Sequence, residues 1–239
     1  LVGSEMCIRD RIQAGETIGF VGQNGCGKSV LFKLISGIYR PDNGEIFVNG
    51  EKLGEKTDFP KNIGIIIDSP GFIDIYTGFQ NLKYLATIQN KIDDETIVEY
   101  MKLVGLDPDN KTRVKNYSLG MKQRLGLASA LLGEPPILIL DEPTNGLDPA
   151  GIHEIRNLVK SLPKRYDCTI LISSHMLSEI ELLADDIGIL NHGRLLFEGS
   201  LEDLKFTAHE SGFENDNLEE MFLSMIDEDN KNRKQRLKL

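Results

Sequence analysis

Short apolar blocks alternate along the chain with stretches in which apolar residues recur every three or four positions. The block ETIGFVG, residues 16–22, is predicted to be a strand. It runs into a glycine-rich turn and then SVLFKLISG, whose spacing predicts a helix. Turn chemistry at Pro41, Asp42, Asn43 and Gly44 leads to a short alternating strand, EIFVNG, and a further apolar strand is predicted at 63–67. Thr77 and Gln80 have the spacing of a capping box that opens the helix FQNLKYLATIQ; an amphipathic helix follows at about 94–103 and a third helix at 120–132. Pro135 and Pro136 then introduce the apolar run ILIL, 137–140, read as a strand buried on both faces. Asp148 with Pro149 behind it is a favourable helix start, for a helix running to about residue 162. Strands at 169–173 and 187–190, with a helix between them, complete the pattern. Strands that alternate with helices imply an α/β fold with a mostly parallel sheet, into which residues of about 78–133 insert a helical lobe.

The first eleven residues, LVGSEMCIRDR, share no pattern with the rest. Residues 6–11 match what a transposon-end adapter of a sequencing library would encode, so 1–11 are expected to be foreign and the native protein to begin further upstream. The main domain is expected to span 12–206 and a charged helical tail 207–239. Within that tail, residues 214–230 carry seven acids and no base, and the last nine residues carry five bases. A solvated helix with a frayed basic end is the expectation, and a membrane-surface or partner contact the alternative.

Composition narrows the function classes. The chain has 239 residues, 40% of them apolar and 27% charged, enough for a buried core. Its 27 basic and 37 acidic side chains leave a formal charge of −10, which disfavours nucleic acid as a partner, because phosphate contacts need a basic surface. The apolar runs are far shorter than the ~20 residues that span a bilayer, so a membrane role requires a partner. Cys7, Cys26 and Cys168 are too scattered for a disulfide framework or a zinc knuckle.

The segment GQNGCGKS, Gly22 to Ser29, satisfies the phosphate-loop pattern and sits between a predicted strand and a predicted helix. Backbone N–H groups and a helix N-terminus offer partial positive charge to phosphates, Lys28 reaches the β and γ phosphates, and Ser29 offers a hydroxyl to Mg²⁺. Cys26, inside that loop, is read as a small tolerated residue without a redox role. In ILILDEPTNGLD a buried strand delivers Asp141 and Glu142 to one edge of the sheet. An acid there suits Mg²⁺, and a second can orient or deprotonate the attacking water.

With these motifs the chain resembles the ATP-binding cassette of an ABC transporter over almost all of residues 12–204. GQNGCGKS resembles Walker A, YSLGMKQR at 117–124 the signature motif, and LILDEP at 138–143 Walker B. Residues 145–148 resemble the D-loop, and His175 in ISSHMLSE the switch histidine. The resemblance implies the ABC ATPase form of the P-loop NTPase fold: a mostly parallel core sheet with an antiparallel β portion and an inserted helical lobe. It implies two cassettes packed head to tail, as a homodimer or with a close paralogue, each ATP lying between Walker A of one copy and the signature of the other. Gly22, Asn24, Gly25, Cys26, Gly27, Lys28, Ser29 and Val30 would bind the nucleotide from one side and Ser118 and Gly120 from the other, with Asp148 linking the two sites. Glu142 would be the base, His175 and Lys28 would act at the γ-phosphate, and Ser29 with Asp141 would hold Mg²⁺. A polytopic membrane permease would be the further partner, placing the chain at the cytoplasmic face of the plasma membrane.

Three departures refine the resemblance. Leu119 stands at a glycine position of the signature and Met121 at its glutamine. Asp68 in IIIDSPGF replaces the Q-loop glutamine and is a third candidate near the metal; with SLGMKQR it resembles the cassettes of bacitracin and lantibiotic resistance exporters. No aromatic precedes Phe20, so the adenine-stacking aromatic expected upstream is missing, in agreement with an upstream start. An exporter subunit, energising export of an antimicrobial peptide, antibiotic or lipid-like substrate, is the leading reading. A DNA-repair or chromosome-structuring ATPase is disfavoured by the short span between Walker A and the signature, and a translation-associated protein by the single phosphate loop and the acidic balance.

Overall fold

A computed structural model describes residues 12, 14–55, 57–68, 71–89, 92–210 and 218–236. The reading of residues 1–11 as foreign lies outside them. Strand β1 (Thr17–Val21) leads into α1 (Lys28–Ile35), and a small antiparallel hairpin follows, β2 (Phe47–Val48) with β3 (Glu51–Lys52). β4 (Ile63–Ile66) precedes three helices, α2 (Gly78–Gln89), α3 (Asp94–Leu103) and α4 (Leu119–Leu131). The chain then runs through β5 (Ile137–Asp141), α5 (Pro149–Tyr166), β6 (Thr169–Ser174), the single turn α6 (Leu177–Ile180) and β7 (Asp186–Asn191). It ends in β8 (Arg194–Ser200), α7 (Leu201–Glu210) and α8 (Leu218–Arg236). The main sheet has the order β4-β5-β6-β1-β7-β8; its first five strands are parallel and β8 is an antiparallel edge.

Local chemistry fixes these elements. At the start of α2 the capping box closes both ways: Thr77 N–H donates to Gln80 Oε1 at 2.9 Å and Gln80 N–H to Thr77 Oγ1 at 3.2 Å. Asp148 caps α5, its Oδ1 accepting from Gly151 N–H at 3.2 Å, with Pro149 at the first helical position. That helix passes Pro163 and ends at Tyr166, beyond the expected stop near 162. Buried Leu162 and the packing of the Tyr166 ring on Tyr100, with centroids 6.1 Å apart, hold the last turn although the proline ring costs one hydrogen bond.

Two strands go beyond the sequence expectation. β3 and β8 are second arms of hairpins closed by Asn49–Gly50 and His192–Gly193, whose φ values of 51° and 77°, and 47° and 75°, match the twist of paired strands. The segment between β6 and β7, expected to be a helix, is helical for one turn only.

The sheet is covered on both faces. Ile18 and Phe20 of β1, Ile139 of β5 and Leu171 of β6 meet Leu31 and Phe32 of α1 in one apolar layer. The other face joins Leu138, Leu140, Ile170, Ile172 and Ile187 to α4, α5, α6 and α8. The expected solvated tail helix is corrected here: Leu218, Met221, Phe222 and Ile226 of α8 are buried in that core, recurring every three to four residues as a helix face must to be buried. Among the described residues no helix is long and apolar enough to cross a membrane.

Candidate functional site

The site forms where β1, β5 and β6 reach their carboxyl ends side by side. β1 passes into the loop 22–27, which Gly22 N–H ties to Ser174 O at the end of β6, at 3.4 Å. Gly22 has no room for a side chain: a Cβ would lie 2.4 Å from Leu190 O and 2.5 Å from Cys26 Sγ. Gly27, the residue before α1, takes φ 117°, open to glycine at little cost. The first N–H groups of a helix have no partner within it, and the first turn of α1 carries no acid. Asn24, Gly25 and Val30 are exposed and Ser29 is half-buried. Cys26 is buried, and burial pushes its thiol pKa up against the opposing pull of Lys28, in keeping with a packing role.

Lys28 is 4% exposed, and its ammonium donates to Gly22 O at 2.7 Å and Gln23 O at 3.3 Å. It also lies 3.3 Å from Glu142 Oε1. The other carboxylate oxygen of Glu142 lies 3.2 Å from His175 Nδ1, a contact in which Nδ1 carries the proton, since an ionised carboxylate only accepts. Sheet register makes this meeting possible: Asp141 at the end of β5 is paired with Ser173 of β6, and His175 follows two residues later. Ser173, fully buried, donates to Asp141 Oδ1 at 2.5 Å and accepts from Glu142 N–H at 2.9 Å. Glu142 itself has φ 45°, a left-handed conformation uncommon for a side-chain-bearing residue. A second clamp joins the loops behind it: Thr144 Oγ1 and Ser174 Oγ both donate to Glu179 Oε2 at 2.8 Å. Sequence reasoning missed Ser173, Thr144, Ser174 and Glu179; only the pairing of β5 with β6 gives them a role.

The remaining candidates lie elsewhere. Ser118 caps α4, accepting from Met121 N–H at 3.2 Å, and is exposed beside the half-buried Gly120. Leu119 lies over Gly146, where a Cβ would come within 2.6 Å of its Cδ2. No hydrogen bond or ion pair among the described residues joins Ser118, Gly120 or Asp148 to the Lys28–Glu142–His175 cluster. Asp68 has φ 59° and a 63% exposed side chain, and its carboxylate pairs with Lys33 of α1 at 2.7 Å, raising the pKa of that lysine. Among the described residues no three His, Cys, Asp or Glu side chains gather as a metal centre. Magnesium needs none, because it is held by one or two protein oxygens with substrate phosphates and water; Ser29 and Asp141 supply that donor type.

A loop of this geometry, an acid pair at the adjoining strand end and a histidine one strand further on agree with the comparison to known families. The model of the family described as ABC transporter matches residues 8–145. The chain belongs to the ABC transporter family. The bacitracin transport ATP-binding protein BcrA of Bacillus licheniformis is 45% identical over 195 residues, 81% of this chain. The match spans 64% of the length of that relative, somewhat under two thirds. The lantibiotic transport ATP-binding protein SrtF of Streptococcus pyogenes is 39% identical over 215 residues, 90% of this chain and 87% of the relative. A solved ATP binding subunit of an ABC transporter superposes with a TM-score of 0.76 at 28% identity, covering 89% of this chain and 88% of that one. The cassette fold read from the motifs is therefore the fold observed.

Proposed function

We propose that the chain is the ATP-hydrolysing subunit of an exporter, working through a separate membrane permease on an antimicrobial peptide, antibiotic or lipid-like substrate. The observation that carries the reading is the placement of Glu142 between Lys28 and His175 at the mouth of the loop 22–27. The N–H groups of the loop and of the first turn of α1, with Lys28, take up the triphosphate. An arriving triphosphate competes with Glu142 for the Lys28 ammonium, which frees the carboxylate to accept a proton. Water then loses that proton to Glu142 as its oxygen bonds to the γ-phosphorus, and the bond to the bridging oxygen breaks with its electron pair leaving on ADP. His175, held at Glu142, would meet the γ-phosphate. Ser29 and Asp141 would hold Mg²⁺, with Asp68 as the third candidate, and the ion would offset charge on the phosphate oxygens. Ser118 and Gly120 serve the nucleotide of a second copy, since within one chain they stand apart from the cluster. Similarity to bacitracin and lantibiotic transport proteins supports the substrate class.

Titrating ATP into the wild type and Glu142→Gln, with phosphate release measured in parallel, tests the reading. ATP binding should persist while hydrolysis falls about 10²- to 10⁴-fold, the usual contribution of a general base. Undiminished turnover in Glu142→Gln would remove Glu142 from that role, and no ATP binding by the wild type would end the proposal.

A further inference from the structure

Helix α8 reaches the phosphate loop through a short chain of polar contacts. Asp229, 8% exposed on the buried face of α8, accepts from Asn191 Nδ2 at 3.0 Å and from Arg194 Nη1 at 3.1 Å. The next residue, Asn230, places Oδ1 3.1 Å from both Asn191 Nδ2 and His192 Nε2. These two side chains therefore grip all three side-chain-bearing residues of the β7–β8 turn, 191–194. The fourth residue of that turn, Gly193, donates its N–H to the carbonyl of Cys26 at 2.6 Å, inside the loop 22–27. Immediately before the turn, Leu190 O is the atom packed against Gly22. The two-residue hairpin has both central φ values positive, so its backbone has little freedom to shift while keeping its register.

We infer that α8 is a positioning element for the nucleotide: Asp229 and Asn230, through the 191–194 turn, hold the phosphate loop in its binding geometry and so set ATP affinity. The affinity part rests on the reading of that loop as an ATP site. Neither residue touches the loop, so their effect passes through Asn191, Arg194 and Gly193. The C-terminal helix, although acidic and remote in sequence, becomes a place from which a contact on α8 would change nucleotide binding.

The test compares the wild type with Asp229→Ala and Asn230→Ala. Two quantities are read on each folded protein: ATP affinity by titration calorimetry, and the alkylation rate of Cys26 by peptide mass mapping without nucleotide. Both variants should weaken ATP binding roughly 2- to 30-fold, the range of such indirect couplings, and should speed Cys26 alkylation. Lower melting temperatures with unchanged ATP affinity and unchanged Cys26 reactivity would overturn the inference. A wild type that binds no ATP refutes the reading of the loop, and Cys26 reactivity alone then decides whether α8 positions it. Asn230→Ala, which removes only partly exposed contacts, keeps the test open if Asp229→Ala fails to fold.

Discussion

Glu142 owes its place to backbone as much as to side chain. Its left-handed φ turns the carboxylate away from the line of β5, and the Ser173 hydroxyl fixes that turn by accepting its N–H while donating to Asp141. The adjacent acids of the sequence therefore take two different jobs: Asp141 is buried and locked, whereas Glu142 spans Lys28 and His175. Asp68 is a different case. Its pairing with Lys33 on an exposed edge of the site suits a residue that senses a neighbour more than one that performs the chemistry. Asp68→Ala should accordingly reduce transport by the proposed exporter more than basal ATP turnover, read by substrate efflux and phosphate release on the same preparation. Equal loss of both would make Asp68 part of the chemistry.

At the scale of elements, helix ends carry a disproportionate share of the design. Asp148 both caps α5 and is the candidate link between nucleotide sites, and two substitutions separate these roles. Asp148→Asn retains an oxygen for Gly151 N–H and should keep the melting temperature, whereas Asp148→Ala should cost about 1 kcal/mol, as loss of a helix cap does. If Asp148→Asn also loses ATPase activity, the charge matters beyond the cap; thermal melts beside turnover give the answer. Caps and loops were legible in the sequence because they depend on neighbours within four residues, as at Thr77, Gln80, Asp148 and the loop 22–29. What stayed hidden depends on long-range pairing. β8 carries no clean alternation and becomes a strand because His192–Gly193 folds it onto β7. The acids of α8 masked a buried stripe at Leu218, Met221, Phe222 and Ile226, and Ser173 is one more polar residue in a strand until β5 lies beside it.

For the whole molecule, buried groups set how stability depends on pH. Burial raises the pKa of the Cys26 and Cys168 thiols and of the Tyr100 and Tyr166 phenols. The folded chain thus keeps these protons where an unfolded chain loses them, from about pH 8.5 for thiols and about 10 for phenols. Their contribution is fully present below those values and is lost as pH rises through the higher folded ones, so stability should fall as pH rises from 8 to 11. Denaturant midpoints across that range check the sign, and a rising midpoint would contradict it. The largest claim concerns assembly, because the proposed function has Ser118 and Gly120 serve the nucleotide of a second copy. Sedimentation velocity of Glu142→Gln, with and without saturating Mg·ATP, tests it most directly. The account predicts that nucleotide converts the 26.7 kDa species into one of twice that mass, and that Ser118→Arg prevents the conversion while ATP still binds. A chain that sediments as a monomer with ATP bound would contradict the shared site.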